Sequence, residues 1–179
     1  MGESILILGG VRSGKTRLAE RLASEKPPVA FVATATRDRN DTDMTARIDR
    51  HRHRRPADWT TFETPRELES VIANQSASFG AILIDCVTLW ISNLMLGMDG
   101  GAALDDDAIL FMVETSARSA RVAGPARVVW VSNEVGSGGV ASNALARRFA
   151  DLQGLANQML AAEADAVHLC VAGIPMRLK

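Results

Sequence analysis

Gly9-Gly10-Val11-Arg12-Ser13-Gly14-Lys15-Thr16 is the stretch that decides the fold. It fills the pattern G-x-x-x-x-G-K-[ST] at every specified position. A short β-rich run, Ser4 to Leu8, precedes it, and a stretch with Leu18 and Leu22 at helical spacing follows. Strand, glycine-rich turn and helix in that order make a cradle for phosphate. Backbone N–H groups turn inward on the glycines, and the helix start adds partial positive charge. Lys15 is expected to reach the β- and γ-phosphates, and Thr16 to hold Mg²⁺. A turn that merely joins strand to helix is the bland alternative, and the agreement of pattern and context argues against it.

Outward from this loop the chain alternates between two kinds of apolar run. Short β-rich runs recur at residues 29–33, 81–84, 128–131 and 167–171. Helical spacing marks residues 15–24, 44–55, 65–74, 105–122 and 143–163. Pro27-Pro28 and Pro56 end the first two of these, and Asp105-Asp106-Asp107 puts negative charge at the start of the fourth. Strands apolar on both faces, alternating with helices, predict an α/β fold with a mostly parallel central sheet covered on both sides. With the phosphate loop this is the three-layer, RecA-like P-loop NTPase class. Residues 174–178 are read as a further strand, paired back antiparallel after a turn at Ala172-Gly173.

Composition narrows the partners. The chain has 179 residues and a formal net charge of −1, with 20 Lys+Arg against 21 Asp+Glu. That length suits one domain spanning residues 1–179. The charge balance excludes a globally basic nucleic-acid binder, so no nucleic-acid partner is expected. No stretch approaches the ~20 apolar residues of a membrane span. Cys86 and Cys170 lie inside apolar runs with neither disulfide-framework nor zinc spacing, which points to the cytoplasm.

A carboxylate is needed near the Mg²⁺, and Ala81-Ile82-Leu83-Ile84-Asp85 offers one at the end of a strand. The following run, Asp85-Cys86-Val87-Thr88, lacks the Asp-x-x-Gly of a switch GTPase, and no Asn-Lys-x-Asp occurs. Kinases, nucleotidyltransferases and motor-type ATPases remain. Between residues 47 and 55 lies an Arg/His segment in which Arg47, His51 and Arg55 share one helical face. A neutral imidazole among guanidinium groups can attack an α-phosphoryl group while the arginines neutralise the phosphates. On spacing alone a solvated Arg-rich face, or a kinase lid with incidental histidines, fits as well. His53 lies on another face, and His168 reads as a sheet residue.

Several segments together resemble the bifunctional adenosylcobinamide kinase / adenosylcobinamide-phosphate guanylyltransferase family of cobalamin assembly. They are the Arg12-Ser13 pair inside the loop, Val32-Ala33-Thr34-Ala35, and Ala46-Arg47-Ile48 with His51 three residues on. Arg55-Pro56, Trp59 and Glu63 follow, then Asp85-Cys86-Val87-Thr88 and Asn93-Leu94. The longest block runs from Ser132-Asn133-Glu134-Val135-Gly136 through Leu145-Ala146-Arg147-Arg148-Phe149 to Gly154 and Asn157-Gln158. Asp85 stands where members often carry Glu, and Arg50 where another His can occur.

The resemblance implies that His51 becomes covalently guanylylated. It also implies nucleotide contacts from Gly9, Gly10, Val11, Arg12, Ser13, Gly14, Lys15 and Thr16, and from Thr34, Ala35 and Thr36. Arg52, His53, Arg54, Arg55, Glu63 and Asp85 complete the set. Thr16 and Asp85 are the expected Mg²⁺ ligands, with ATP or GTP and adenosylcobinamide as substrates and a homotrimer as the assembly. Glu63 suits the guanine N1–H and N2–H₂ edge, because a carboxylate accepts two donors there. A monofunctional P-loop kinase of another small metabolite is the runner-up. A RecA-like ATP-hydrolysing assembly module is a third reading.

Overall fold

The structure is a computed structural model, and it describes residues 2–36, 45, 46, 48, 49, 52 and 55–179. Among the described residues, seven strands form one sheet: β1 (Glu3–Gly9), β2 (Val29–Ala33), β3 (Thr60–Glu63), β4 (Ala81–Asp85), β5 (Arg127–Val131), β6 (Ala166–Val171) and β7 (Ile174–Arg177). Their spatial order is β3-β2-β4-β5-β1-β6-β7. Every pairing is parallel except β6 with β7, which is antiparallel through the expected turn. The helices are α1 (Lys15–Ser24), α2 (Leu68–Gln75), α3 (Val87–Leu96), α4 (Asp106–Arg121) and α5 (Ala144–Glu163).

The pleat divides the core. Leu6, Ile82, Ile84, Val128 and Trp130 face α2 to α5, with Trp90, Ile91, Val113 and Leu160 packed on them. Ile5, Ile7, Leu83, Val129 and Val131 face α1 through Leu18, Ala19 and Ala23. Alternate residues of one strand thus serve opposite layers, as a doubly covered parallel sheet requires. Two helices carry side-chain caps at their starts. Asp105 accepts from the Ala108 N–H at 2.9 Å and Asn143 from the Ala146 N–H at 2.7 Å.

Two elements escape sequence reading. Helix α3 is apolar almost all round, because it is wedged between the sheet and its neighbours, so no 3.6-residue stripe marks it. Strand β3 reads Thr-Thr-Phe-Glu and is mostly exposed at the sheet edge, so no apolar run announces it. Helix α2 begins at Leu68 rather than Pro65, because Pro65 and Arg66 belong to the preceding turn. Residues 45, 46, 48, 49 and 52 are helical, in keeping with the helix expected over 44–55.

Candidate active site

The phosphate loop joins β1 to α1 and is held mainly by its own backbone. Arg12 adopts φ 57° and Gly14 φ 95°, which turns successive peptide groups inward. A Cβ on Gly14 would lie 2.9 Å from the Gly173 Cα, and one on Gly9 2.7 Å from the Cys170 carbonyl oxygen. The β6–β7 turn therefore packs directly under the loop, and the Gly173 N–H donates to the Ser13 carbonyl at 2.9 Å. Lys15 is buried and its Nζ donates to the Gly10 carbonyl at 2.9 Å. The Ser13 hydroxyl is buried beneath Gly9 and has no hydrogen-bond partner among the described residues.

Asp85 ends β4, opposite Ala33 of β2 and Val131 of β5. The fully buried Thr34 steadies the turn beyond it. The Thr34 hydroxyl donates to the Cys86 carbonyl and accepts from the Cys86 N–H, both at 2.8 Å. That hydroxyl is thereby committed to the turn after Asp85. Asn93 of α3 donates to the Thr34 and Pro65 carbonyls at 2.7 and 3.1 Å. Arg66 in turn donates to the Asn93 and Ala102 carbonyls, and the Trp90 indole to the Arg66 carbonyl. Ala35 and Thr36 follow, half-buried, at the same end of the sheet.

At the β2–β3 edge the site is made of side chains. The Arg55 guanidinium lies 3.5 Å from the centre of the Phe31 ring, and the Trp59 ring stacks on Phe31 at 6.3 Å. Arg55 also donates to the Thr61 hydroxyl at 3.2 Å, while its Nε is buried without a partner among the described residues. Burial lowers the Arg55 pKa, with Asp85 opposing that shift and Arg52 adding to it. Glu63, at the end of β3, pairs with Arg52 at 3.7 Å and is well exposed. The structure therefore brings Arg52, Arg55, Glu63 and Asp85 into one charged group at the carboxyl end of the sheet. His51, His53 and Arg54 lie outside the described residues.

The far end of β5 carries a polar network that the sequence resemblance marked as a block without explaining. The Ser132 hydroxyl donates to the Asn157 Oδ1 at 2.6 Å and accepts from the Gln153 amide at 2.9 Å. Gln153 also donates to the Asn157 Oδ1, and the Asn157 amide donates to the Asn133 carbonyl at 3.1 Å. Thr88, at the start of α3, accepts from the Asn133 N–H at 2.9 Å. Neither Gln153 nor Arg66 carries a sequence signal of its own, because each acts through contacts between distant segments, whereas Thr88 closes the Asp85-Cys86-Val87-Thr88 segment that carries the resemblance.

Both cysteines are buried free thiols beside this site. Burial and then Asp85 push Cys86 up to about 11, and burial likewise raises Cys170. They are packing groups, with little thiolate for nucleophilic work at neutral pH. The two residues expected to hold a metal, Thr16 and Asp85, offer a hydroxyl and a carboxylate, both oxygen donors. Among the described residues no group of three or more His, Cys, Asp or Glu converges as a metal cage. That suits a magnesium ion carried in on phosphates and held by one or two protein oxygens. Among the described residues, no helix is long and apolar enough to cross a membrane.

Known proteins agree with this architecture. The structure of the P4 protein from bacteriophage phi13 superposes with a TM-score of 0.50 at 12% identity, over 98% of this chain and 53% of that one. At that identity the likeness concerns the fold, a mostly parallel P-loop α/β sheet. The chain is 41% identical to the bifunctional adenosylcobalamin biosynthesis protein CobU of Salmonella typhimurium, over 98% of this chain and 99% of the relative. It is 42% identical to the bifunctional adenosylcobalamin biosynthesis protein CobP of Pseudomonas aeruginosa, over 97% and 96%. The sequence profile of the family described as cobinamide kinase / cobinamide phosphate guanyltransferase matches residues 5–178. On a match of that extent, the chain belongs to the cobinamide kinase / cobinamide phosphate guanyltransferase family.

Proposed function

We propose that this chain carries out both reactions of its family, with GTP or ATP as phosphoryl donor and GTP as guanylyl donor. The observation that carries the proposal is the joining of two dissimilar sites at one sheet end. One is a backbone-lined phosphate loop closed by Lys15 on the Gly10 carbonyl, and the other is the Arg52–Arg55–Glu63 side-chain group beside Asp85.

In the kinase step the aminopropanol hydroxyl of adenosylcobinamide attacks the γ-phosphorus and the bond to the β-phosphate oxygen breaks. Lys15 and the loop N–H groups stabilise charge on the transferring group. Magnesium, held by Thr16 and Asp85, would neutralise phosphate charge when bound. In the second step the His51 imidazole attacks the α-phosphorus of GTP, and pyrophosphate leaves. The phosphate ester of the corrinoid then attacks the guanylyl-histidine, the P–N bond breaks, and adenosylcobinamide-GDP forms. Arg52, His53, Arg54 and Arg55 line the triphosphate, and Glu63 reads the guanine edge. Thr34, Ala35 and Thr36 shape the floor of the site between β2 and β4. The assembly is a homotrimer in the cytoplasm, a setting that suits two buried free thiols.

The test is a paired label experiment with adenosylcobinamide. Label from the γ-phosphate is expected in a monophosphate ester, and label from the α-phosphate of GTP in the diphosphate-linked product. A γ-labelled ester with no α-labelled product would leave a monofunctional kinase. Neither product would overturn the reading.

A further inference from the structure

The sheet order sets the tip of β5 between the phosphate loop and the Asp85 carboxylate, since β5 lies between β1 and β4. Its parallel ladder with β1 runs past Val131. The Ser132 N–H donates to the Ile7 carbonyl at 2.9 Å, and the Glu134 N–H to the Gly9 carbonyl at 3.2 Å. The strand alternation therefore holds through residue 133. Ser132 turns to the α5 face, where Gln153 and Asn157 bind it. Asn133 falls on the opposite face with Val129 and Val131, the face of α1 and the phosphate loop. Leu83 is on that face too, so Asp85, two residues on, shares it.

The backbone of Asn133 is pinned on both sides, by Thr88 at its N–H and Asn157 at its carbonyl. Its carboxamide is half-buried and makes no hydrogen bond among the described residues. A rigidly held donor beside a phosphate cradle, with its own bonding capacity unspent, is preorganised for a ligand oxygen.

We propose that Asn133 contacts the terminal phosphate of the bound nucleoside triphosphate, its Nδ2 donating to a γ-phosphoryl oxygen. Ser132, Gln153 and Asn157 are positioning residues that hold it there. The inference rests on the nucleotide-binding reading of the loop, and it adds a residue that senses which nucleotide is bound. The terminal phosphate is the group a kinase step transfers, so the same contact strengthens as charge redistributes in the transition state.

The test compares binding of a β,γ-imido nucleoside triphosphate with binding of the diphosphate by calorimetry, alongside phosphoryl-transfer rates. Asn133→Asp keeps the shape of the side chain and replaces the donor with a charge, so it is the variant least prone to misfold. Asn133→Ala is its companion. Both are expected to reduce the triphosphate-to-diphosphate affinity ratio about tenfold or more, with diphosphate affinity unchanged within about twofold. The phosphoryl-transfer kcat is expected to fall about 10²-fold. Asn157→Ala is expected to lower the ratio less. An unchanged ratio in folded Asn133 variants overturns the proposal, whatever the wild-type kinase rate. A wild type that binds triphosphate yet phosphorylates no corrinoid overturns the kinase reading while the ratio still tests Asn133.

Discussion

The two ends of the central sheet are finished in opposite ways. At the amino end, Arg127 is tied down by three acceptors. It donates to Glu3 at 2.7 Å, to Glu25 at 2.7 Å and to the Leu22 carbonyl at 2.8 Å. Burial alone would lower its pKa, but the hydrogen bonds it donates to Glu25 and Glu3, and their charges, raise it instead. At the carboxyl end the accounts are left open. Among the described residues four buried side-chain polar atoms have no partner, and three belong here: the Ser13 hydroxyl, the Arg55 Nε and the Gln153 Oε1. The fourth, the Ser116 hydroxyl, lies on α4. One end closes the fold. The other leaves buried polar groups unsatisfied, at a cost in stability.

That contrast predicts different consequences for the loss of a charge at each end. Lys15→Ala is expected to produce the largest effect, a fall of about 10³-fold or more in phosphoryl transfer. Its thermal midpoint should stay within a few degrees of wild type. A large drop in midpoint with residual activity preserved would break the comparison. Arg127→Ala should do the reverse. It should cost about 1–2 kcal/mol, discounted because both glutamates are half exposed, and lower Tm by about 2–8 °C. Its kcat at a temperature where it remains folded should match wild type within twofold.

A subtler effect belongs to His168, which pairs across the β6–β7 hairpin with Arg177. Burial first, then Arg177 and Arg21, lowers its pKa below the usual histidine value. The unfolded chain therefore binds the proton more readily than the folded one. The histidine's contribution is fully present above about pH 6.5 and declines as pH falls through the range between the two pKa values. His168→Gln should flatten that decline in denaturant midpoint between about pH 7 and 5, and leave stability at pH 8 nearly unchanged. A steeper decline in the variant would show that the sign is wrong.

The same division explains what the sequence revealed. Phosphate recognition is done by consecutive backbone groups, so it condenses into one contiguous pattern, Gly9 to Thr16, readable without coordinates. The antiparallel hairpin after Ala172-Gly173 was legible too, though its packing under Gly14 was not, because sequence spacing carries no information on that approach. The edge group of Arg52, Arg55 and Glu63 comes from separate segments around an exposed strand. Spacing marked the arginines as a phosphate-neutralising segment, and only the family resemblance joined Glu63 to them. Phe31 was read as core, yet its ring also supports Arg55, a double use that only the fold exposes. Asn93 and Gln153 look like ordinary helical polar residues until the turns they tie are seen.

The central claim is that the histidine chemistry and the phosphate loop serve one nucleotide. The most direct measurement is retention of label by the denatured protein after incubation with GTP labelled in the α-phosphate. Wild type is expected to keep the label through alkali and lose it in acid, as a phosphoramidate does. His51→Ala should keep none while still transferring γ-phosphate to adenosylcobinamide. Label retained by His51→Ala at the wild-type level, or none retained by active wild type, would contradict the account.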